Sequence, residues 1–84
     1  MKRRPKTRDP LPEDLLVGRR IRDLRTTLSM TQTDLGARVG VSFQQIQKYE
    51  GGLDRISVGR LVRIARAFGV PVARFFDTIE VQHG

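Results

Sequence analysis

The sequence contains no cysteine and a single histidine, His83, which is the next-to-last residue. Without thiols the chain forms no disulfide, supports no thiolate catalysis and lacks the ligands of a zinc finger. A lone histidine with no group of carboxylates beside it does not make a metal site, and we expect it to be solvated. The sequence therefore predicts no bound metal and no other cofactor.

Length and hydropathy exclude further classes of protein. The 84 residues allow one domain with a small core, which cannot also frame a deep catalytic cleft. No nucleophile and base pair, and no glycine-rich phosphate loop, is present. No apolar run is long enough to cross a bilayer, and the opening MKRRPKTRDP lacks the apolar segment of a signal peptide. We expect a cytoplasmic protein that is not an enzyme and does not bind a membrane.

Positive charge is what the sequence has in excess. Sixteen lysines and arginines oppose nine acidic residues, for a formal net charge of +7, and thirteen of the sixteen are arginine. Arginine binds phosphate groups and the edge of guanine through two parallel hydrogen bonds, so this composition favours a nucleic-acid partner. The competing interpretation is that a small basic domain carries this charge only for solubility.

Charge and proline divide the chain into three parts. Residues 1–11 predict a flexible basic arm, because they hold five cations, one acid and two prolines. Such an arm either follows phosphates, enters a minor groove or remains a solvated tail. Residues 12–76 predict the folded domain. Residues 77–84 form a short tail, and a protein partner at this C-terminal face is an alternative use of the surface.

Apolar residues recur at helical spacing on both sides of the centre of the chain. A stripe with steps of four, three and four predicts a first helix that starts near Pro12. Its members are Val17, Ile21, Leu24 and Leu28. A second stripe after Ser57 predicts another helix, and Pro71 predicts the start of a fifth, short helix. The inward residues of these last two helices are Leu61, Ile64, Ala65, Phe68, Val72, Phe75 and Phe76.

The centre of the chain, residues 30–52, predicts two short helices separated by a tight turn. Thr31 caps the first helix and Gly40 ends it. Ser42 caps the second helix, with Gln45 at the position from which a capping-box side chain returns to the Ser42 N–H. Two helices joined by so short a glycine-containing turn form a helix-turn-helix, which commonly places its second helix in the major groove of DNA.

The second helix of this unit presents a polar face. With Ile46 directed to the core, Gln44 and Lys48 lie on the opposite side. Glutamine matches the donor and acceptor of adenine, and lysine donates to guanine or to phosphate, although a glutamine-rich face is also typical of an ordinary solvated helix. Gln45 either caps the helix or reads a base, and Phe43 is either buried under the turn or in contact with a thymine methyl group. The candidate base-reading residues are Gln44, Lys48, Gln47, Gln45 and Phe43.

Two residues outside this helix occupy positions suited to phosphate. Gln32 starts the first helix of the unit, where free backbone N–H groups and the helix dipole favour an anion. Arg55 lies in the loop after the second helix, and it is either a second phosphate contact or simply exposed.

Four blocks of sequence carry a family resemblance that extends over about residues 17–76. The blocks are RRIRDLR at 19–25, TQTDLGARVGVS at 31–42, IQKYEGG at 46–52 and RLVRIARAFGV at 60–70. Their order and spacing are more specific than any one block. With them the chain resembles the Cro/CI-type (XRE) helix-turn-helix regulators of bacteria and phages, and in particular members from alphaproteobacteria.

The resemblance implies a compact all-α bundle of five helices, of the lambda-repressor-like DNA-binding type, which forms a homodimer on double-stranded operator DNA. By position, Gln32 matches a phosphate-binding glutamine, and Gln44 and Lys48 match base-reading positions. Arg25 and Glu50 match a structural ion pair that directs the arginine toward the DNA backbone. The candidate phosphate-binding residues are then Gln32, Arg25, Ser42, Arg55 and Arg20.

Two residues depart from the family's pattern. Gly36 stands where alanine is usual, which lowers helix preference by about 1 kcal/mol. Phe43 stands where many members have a small polar residue, so the base preference of a relative cannot be transferred to this chain.

These observations lead to three hypotheses. The first is a sequence-specific transcriptional regulator, most simply a repressor, whose third helix (about residues 43–51) reads the major groove as a dimer on an inverted-repeat operator. The second is an antitoxin or bridging-type protein-interaction module with the same fold. The third is non-specific nucleic-acid binding through the basic arm alone, which added salt would weaken steeply.

Overall fold

The computed structural model describes residues 10–76, which form four α-helices followed by one 3-10 helix and contain no strand. The elements are α1 (Pro12–Thr27), α2 (Gln32–Val39), α3 (Phe43–Glu50), α4 (Val58–Phe68) and the 3-10 helix (Val72–Phe76). The predicted all-α class is confirmed. Within the described residues no helix is long and apolar enough to span a lipid bilayer.

The predicted arm and tail fall largely outside this part of the chain. Residues 1–9 and 77–84, including His83, lie outside the described residues. The division of the chain into arm, domain and tail therefore stays a prediction.

The last element corrects the expectation of a fifth α-helix. Residues after Pro71 form a 3-10 helix, in which the Arg74 N–H donates to the Pro71 carbonyl oxygen at 3.0 Å. The tighter i to i+3 pattern is typical of short helical segments. The turn directs Phe75 into the core, where it is fully buried, whereas Val72 and Phe76 are 37% and 39% exposed.

Every element contributes one side chain with no exposed surface to the core. These five residues are Ile21, Leu35, Ile46, Ile64 and Phe75. The Phe68 and Phe75 rings meet edge to face, with centroids 6.4 Å apart and an interplanar angle of 66°. Leu28, expected on the inward stripe of α1, is 46% exposed instead, because it follows the last residue of that helix and the helical period no longer sets its direction.

The helix-turn-helix, α2 with α3, is closed by side-chain caps and by two glycines. Thr31 and Asp34 form a reciprocal capping box, in which the hydrogen bonds from Thr31 lower the pKa of the Asp34 carboxyl below its ordinary value. Gly40 ends α2 with φ of 80°, in the left-handed region. At Gly36 a Cβ atom would lie 2.5 Å from the Val41 carbonyl oxygen. The glycine that weakens the helix locally therefore allows the turn to close on it.

A close approach of backbones sets α1 against the end of α3. A Cβ atom at Gly18 would overlap the carbonyl oxygen of Tyr49 and lie 2.7 Å from that of Glu50. Only glycine permits this separation without a shift of backbone. The contact holds the C-terminal end of α3 at a defined distance from α1, and so orients the face of α3 that points away from the core.

Candidate nucleic-acid interface

The exposed face of α3 is defined by the residues that anchor its opposite side. Ile46 is fully buried and Tyr49 is 8% exposed. Gln44, Gln47 and Lys48 are exposed, and none of the three makes a side-chain hydrogen bond within residues 10–76. We call these three residues the reading face. Their amide and ammonium groups are available to an external partner, and the exposure of Gln44 and Lys48 agrees with their predicted position opposite Ile46.

Two residues at the start of α3 were left undecided by the sequence. Phe43 is 45% exposed, so its ring is neither buried under the turn nor fully free. Gln45 is half-buried, and its Nε2 donates to Asp54 Oδ2 at 2.9 Å. The Ser42 hydroxyl oxygen accepts the Gln45 backbone N–H at 3.1 Å, but the Gln45 amide does not return to the Ser42 backbone.

This arrangement corrects the capping-box interpretation of Gln45. A carboxylate only accepts hydrogen bonds, and hydrogen bonds to a charged acceptor are stronger than those between neutral groups. Asp54 offers the amide such an acceptor from the loop that follows α3. No sequence pattern had assigned a role to Asp54, because its proximity to Gln45 depends on how that loop folds back.

Glu50 joins three helices at the edge of the reading face. Arg25 on α1 donates from Nε to Glu50 Oε2 at 2.6 Å and from Nη2 to Oε1 at 3.0 Å. Gln32 on α2 donates from Nε2 to the same Oε1 at 3.0 Å. The Arg25 and Glu50 side chains are only 11% and 5% exposed. The ion pair expected from the resemblance is therefore present, and Gln32 completes a three-residue cluster.

The cluster constrains the guanidinium group of Arg25 on two sides. Its third hydrogen bond runs from Nη1 to the Met30 carbonyl oxygen at 2.9 Å. The hydrogen bond to Glu50 raises the pKa of Arg25 above its ordinary value, against the opposing effect of burial. Arg25 thus stays charged, and both its charge and its orientation are fixed before any partner binds.

The remaining candidate phosphate contacts are distributed over other elements. Arg55 is exposed, and its Nε lies 3.8 Å from Asp14 Oδ2, a loose surface pair that contributes little to stability. Ser42 is the N-cap of α3, and Arg20 is half-buried on α1. The structure therefore brings Gln32 and Arg25 together through Glu50, whereas Arg55 is held separately on Asp14.

Comparison with known proteins identifies the fold and its family. A helix-turn-helix family model (HTH_3) matches residues 21–75, more than half of the chain. The domain is therefore a helix-turn-helix domain of the XRE type, and the chain belongs to this helix-turn-helix family.

Curated relatives support the same assignment and agree with the alphaproteobacterial resemblance. An uncharacterized transcriptional regulator in the ATPase CF(0) region of Rhodospirillum rubrum is 54% identical over 67 residues, which cover 80% of this chain and 62% of that protein. Relatives from Sinorhizobium and Rickettsia species are described as uncharacterized HTH-type transcriptional regulators. The chain spans about half to three-fifths of the length of these relatives.

Solved structures share the arrangement of helices. The P22 c2 repressor, crystallised with a synthetic operator, superposes with a TM-score of 0.66 at 29% identity, over 70% of this chain and 89% of that one. The restriction-modification controller protein C.AhdI from Aeromonas hydrophila superposes with a TM-score of 0.76 at 23% identity, over 79% of this chain and all of that one. At that identity the second comparison shows the fold alone.

Proposed function

We propose that this chain is the DNA-binding part of a sequence-specific transcriptional regulator, with α3 inserted in the major groove. The observation that supports this most directly is the reading face. Gln44, Gln47 and Lys48 are exposed beside two buried anchors and make no side-chain hydrogen bond within the described residues. Polar side chains on one face of the second helix of a helix-turn-helix are the groups that contact base edges.

Each residue of the reading face has a distinct chemical role in this proposal. Gln44 lies nearest the N-terminus of α3, and its amide pairs with adenine N6 and N7. Lys48, one turn further along, donates to guanine O6 and N7 or to a phosphate. Gln47 extends the polar face between them. Phe43, which is 45% exposed, is suited to a thymine methyl group at the edge of the site.

Phosphate contacts orient the domain on the duplex. Gln32 is the first residue of α2, where backbone N–H groups have no acceptor within the helix and the dipole favours an anion. One hydrogen of its amide is used by Glu50, and the second is available to a phosphate oxygen. Arg25 adds a fixed positive charge beside it. The exposed Arg55 provides a contact from the loop after α3, where phosphate replaces its loose pairing with Asp14.

The working form in this proposal is a homodimer on an inverted-repeat operator, and its effect is repression. Two-fold symmetry of a helix-turn-helix dimer places half-sites about one helical turn apart. The likeness to the P22 c2 repressor, whose structure contains a synthetic operator, supports repression as the simplest outcome of such binding. In this proposal the chain is a regulator and not an enzyme.

Selection of bound sequences from a random duplex pool at physiological salt tests the proposal. We expect the wild-type chain to enrich an inverted repeat. Gln44→Ala should lose about 1–3 kcal/mol of discrimination at one base pair of each half-site, the range of a direct amide contact to a base. Arg66→Ala, which removes an exposed cation from α4, is the control and should leave the base preference unchanged. Equal recovery of unrelated duplexes by the wild-type chain would contradict the proposal.

A further inference from the structure

The loop between α3 and α4 is tied to the first turn of α3 by one side-chain hydrogen bond. Asp54 in this loop accepts from Nε2 of Gln45 at 2.9 Å, and both side chains are half-buried. Within residues 10–76 no other side-chain hydrogen bond joins the loop to α3. The contact therefore determines where the Gln45 amide points.

The chemistry of the acceptor fixes the orientation of that amide as well. An ionised carboxylate has no hydrogen to donate, so the nitrogen of Gln45, and not its oxygen, must face Asp54. A glutamine reads adenine by presenting both its nitrogen and its oxygen to the same base edge. Asp54 takes one amide hydrogen of Gln45, so the amide is turned toward the loop and does not align its second hydrogen and its oxygen with a base edge. Gln45 thus stands beside the reading face without being free to join it.

We infer that Asp54 is a positioning residue that sets DNA specificity, because it withholds Gln45 from the bases and restricts reading to Gln44, Gln47 and Lys48. The inference rests on the proposed function, which it refines. Loss of the carboxylate releases the Gln45 amide, and a fourth polar side chain then reaches the groove from the N-terminal turn of α3. The result is a change of base preference at one position and not a uniform loss of affinity.

A double-mutant cycle read out by sequence selection tests this inference. The variants of the full chain are Asp54→Ala, Gln45→Ala and the double substitution, each first checked for cooperative unfolding. We expect Asp54→Ala to change relative affinity at one base pair of each half-site by about fivefold or more, the lower range of a direct contact from an amide to a base. In the Gln45→Ala background the same substitution should have no further effect on base preference.

Asp54→Asn is the matched control for charge and shape. Its side-chain oxygen still accepts from Gln45 Nε2, while the negative charge is lost. We expect Asp54→Asn to keep the base preference of the wild-type chain, so that any change seen only in Asp54→Ala reports the hydrogen bond. A general loosening of the loop would instead lower affinity for all sequences and would persist without Gln45.

The outcomes separate this inference from the proposed function. If the wild-type chain enriches an operator and Asp54→Ala enriches the same one, the inference is wrong and the proposed function stands. An effect of Asp54→Ala that remains undiminished in the Gln45→Ala background also overturns it. If the wild-type chain enriches no sequence, the proposed function itself fails.

Discussion

At the scale of single residues, the cluster of Arg25, Glu50 and Gln32 links the stability of the domain to the geometry of the candidate interface. Glu50 accepts three hydrogen bonds from two side chains. Its carboxylate is thereby the counter-ion of a charged guanidinium group that is almost out of contact with water. Replacing both members of a buried ion pair by apolar groups often leaves stability unchanged. Removing one member is destabilising, because the other charge stays buried without a counter-ion.

Glu50→Ala should therefore lower the free energy of unfolding by about 3 kcal/mol, since Arg25 loses its counter-ion and Gln32 loses its acceptor. Urea denaturation at neutral pH measures this change. The Arg25→Ala and Glu50→Ala double variant should lose less than the sum of the two single variants, because no uncompensated charge remains. Asp23→Ala removes an exposed acid from α1 as a control and should change stability by less than about 0.5 kcal/mol. Wild-type stability of Glu50→Ala would contradict a structural role for the pair.

At the scale of secondary-structure elements, close packing between helices outweighs local helix preference. Gly18 is a poor helix former within α1, yet it allows α1 to approach the carbonyl groups at the end of α3. Gly59 in α4 has equally poor preference, but a Cβ atom there would meet no atom within 4 Å. Gly18 is therefore required by the packing of α1 against α3, whereas no neighbouring atom requires glycine at position 59.

Gly18→Ala and Gly59→Ala should change stability in opposite directions. The first forces backbone atoms apart, and we expect a loss of about 2 kcal/mol despite the gain in helix preference. The second meets no neighbouring atom and should raise the free energy of unfolding by about 0.5–1 kcal/mol. Thermal and urea unfolding of both variants measure these changes. A stabilising Gly18→Ala would show that α1 and α3 are not in the close contact described.

At the scale of the whole molecule, positive charge sets how steeply affinity for DNA depends on salt, in proportion to the number of phosphates that the protein neutralises. The net charge of +7 includes five cations within residues 1–11, close to one third of all lysines and arginines. All of the remaining lysines and arginines lie in residues 10–76, the described part of the chain. The affinity of such a protein depends steeply on salt, whereas its base preference depends on the reading face.

Deletion of residues 1–9 should therefore weaken binding and reduce its salt dependence, while the enriched sequence stays the same. The slope of log affinity against log salt should fall in magnitude by about 0.9 for every phosphate that the shortened chain no longer neutralises. Titration of the selected operator at several salt concentrations measures the slope for the full and the shortened chain. Identical slopes would show that the predicted arm does not bind phosphate.

Much of this domain could be predicted from sequence because the interactions responsible are local. Thr31, Ser42 and Gly40 act on the residues beside them, so caps and helix ends follow from residue type and spacing. The helical spacing that buries Ile46 and Tyr49 likewise exposes the polar side of α3. The family resemblance also predicted the ion pair of Arg25 and Glu50. These residues lie 25 positions apart, so no local pattern contains both.

Tertiary structure alone decided the rest. Leu28 is exposed because α1 ends before it, and the last element is a 3-10 helix that directs Phe75 into the core. The amide of Gln45 faces Asp54 because a loop folds back over the first turn of α3. Gly18 is required because two distant backbones meet at that point. Local patterns set which residues form helices and caps, whereas the distances between elements depend on the packing of the whole chain.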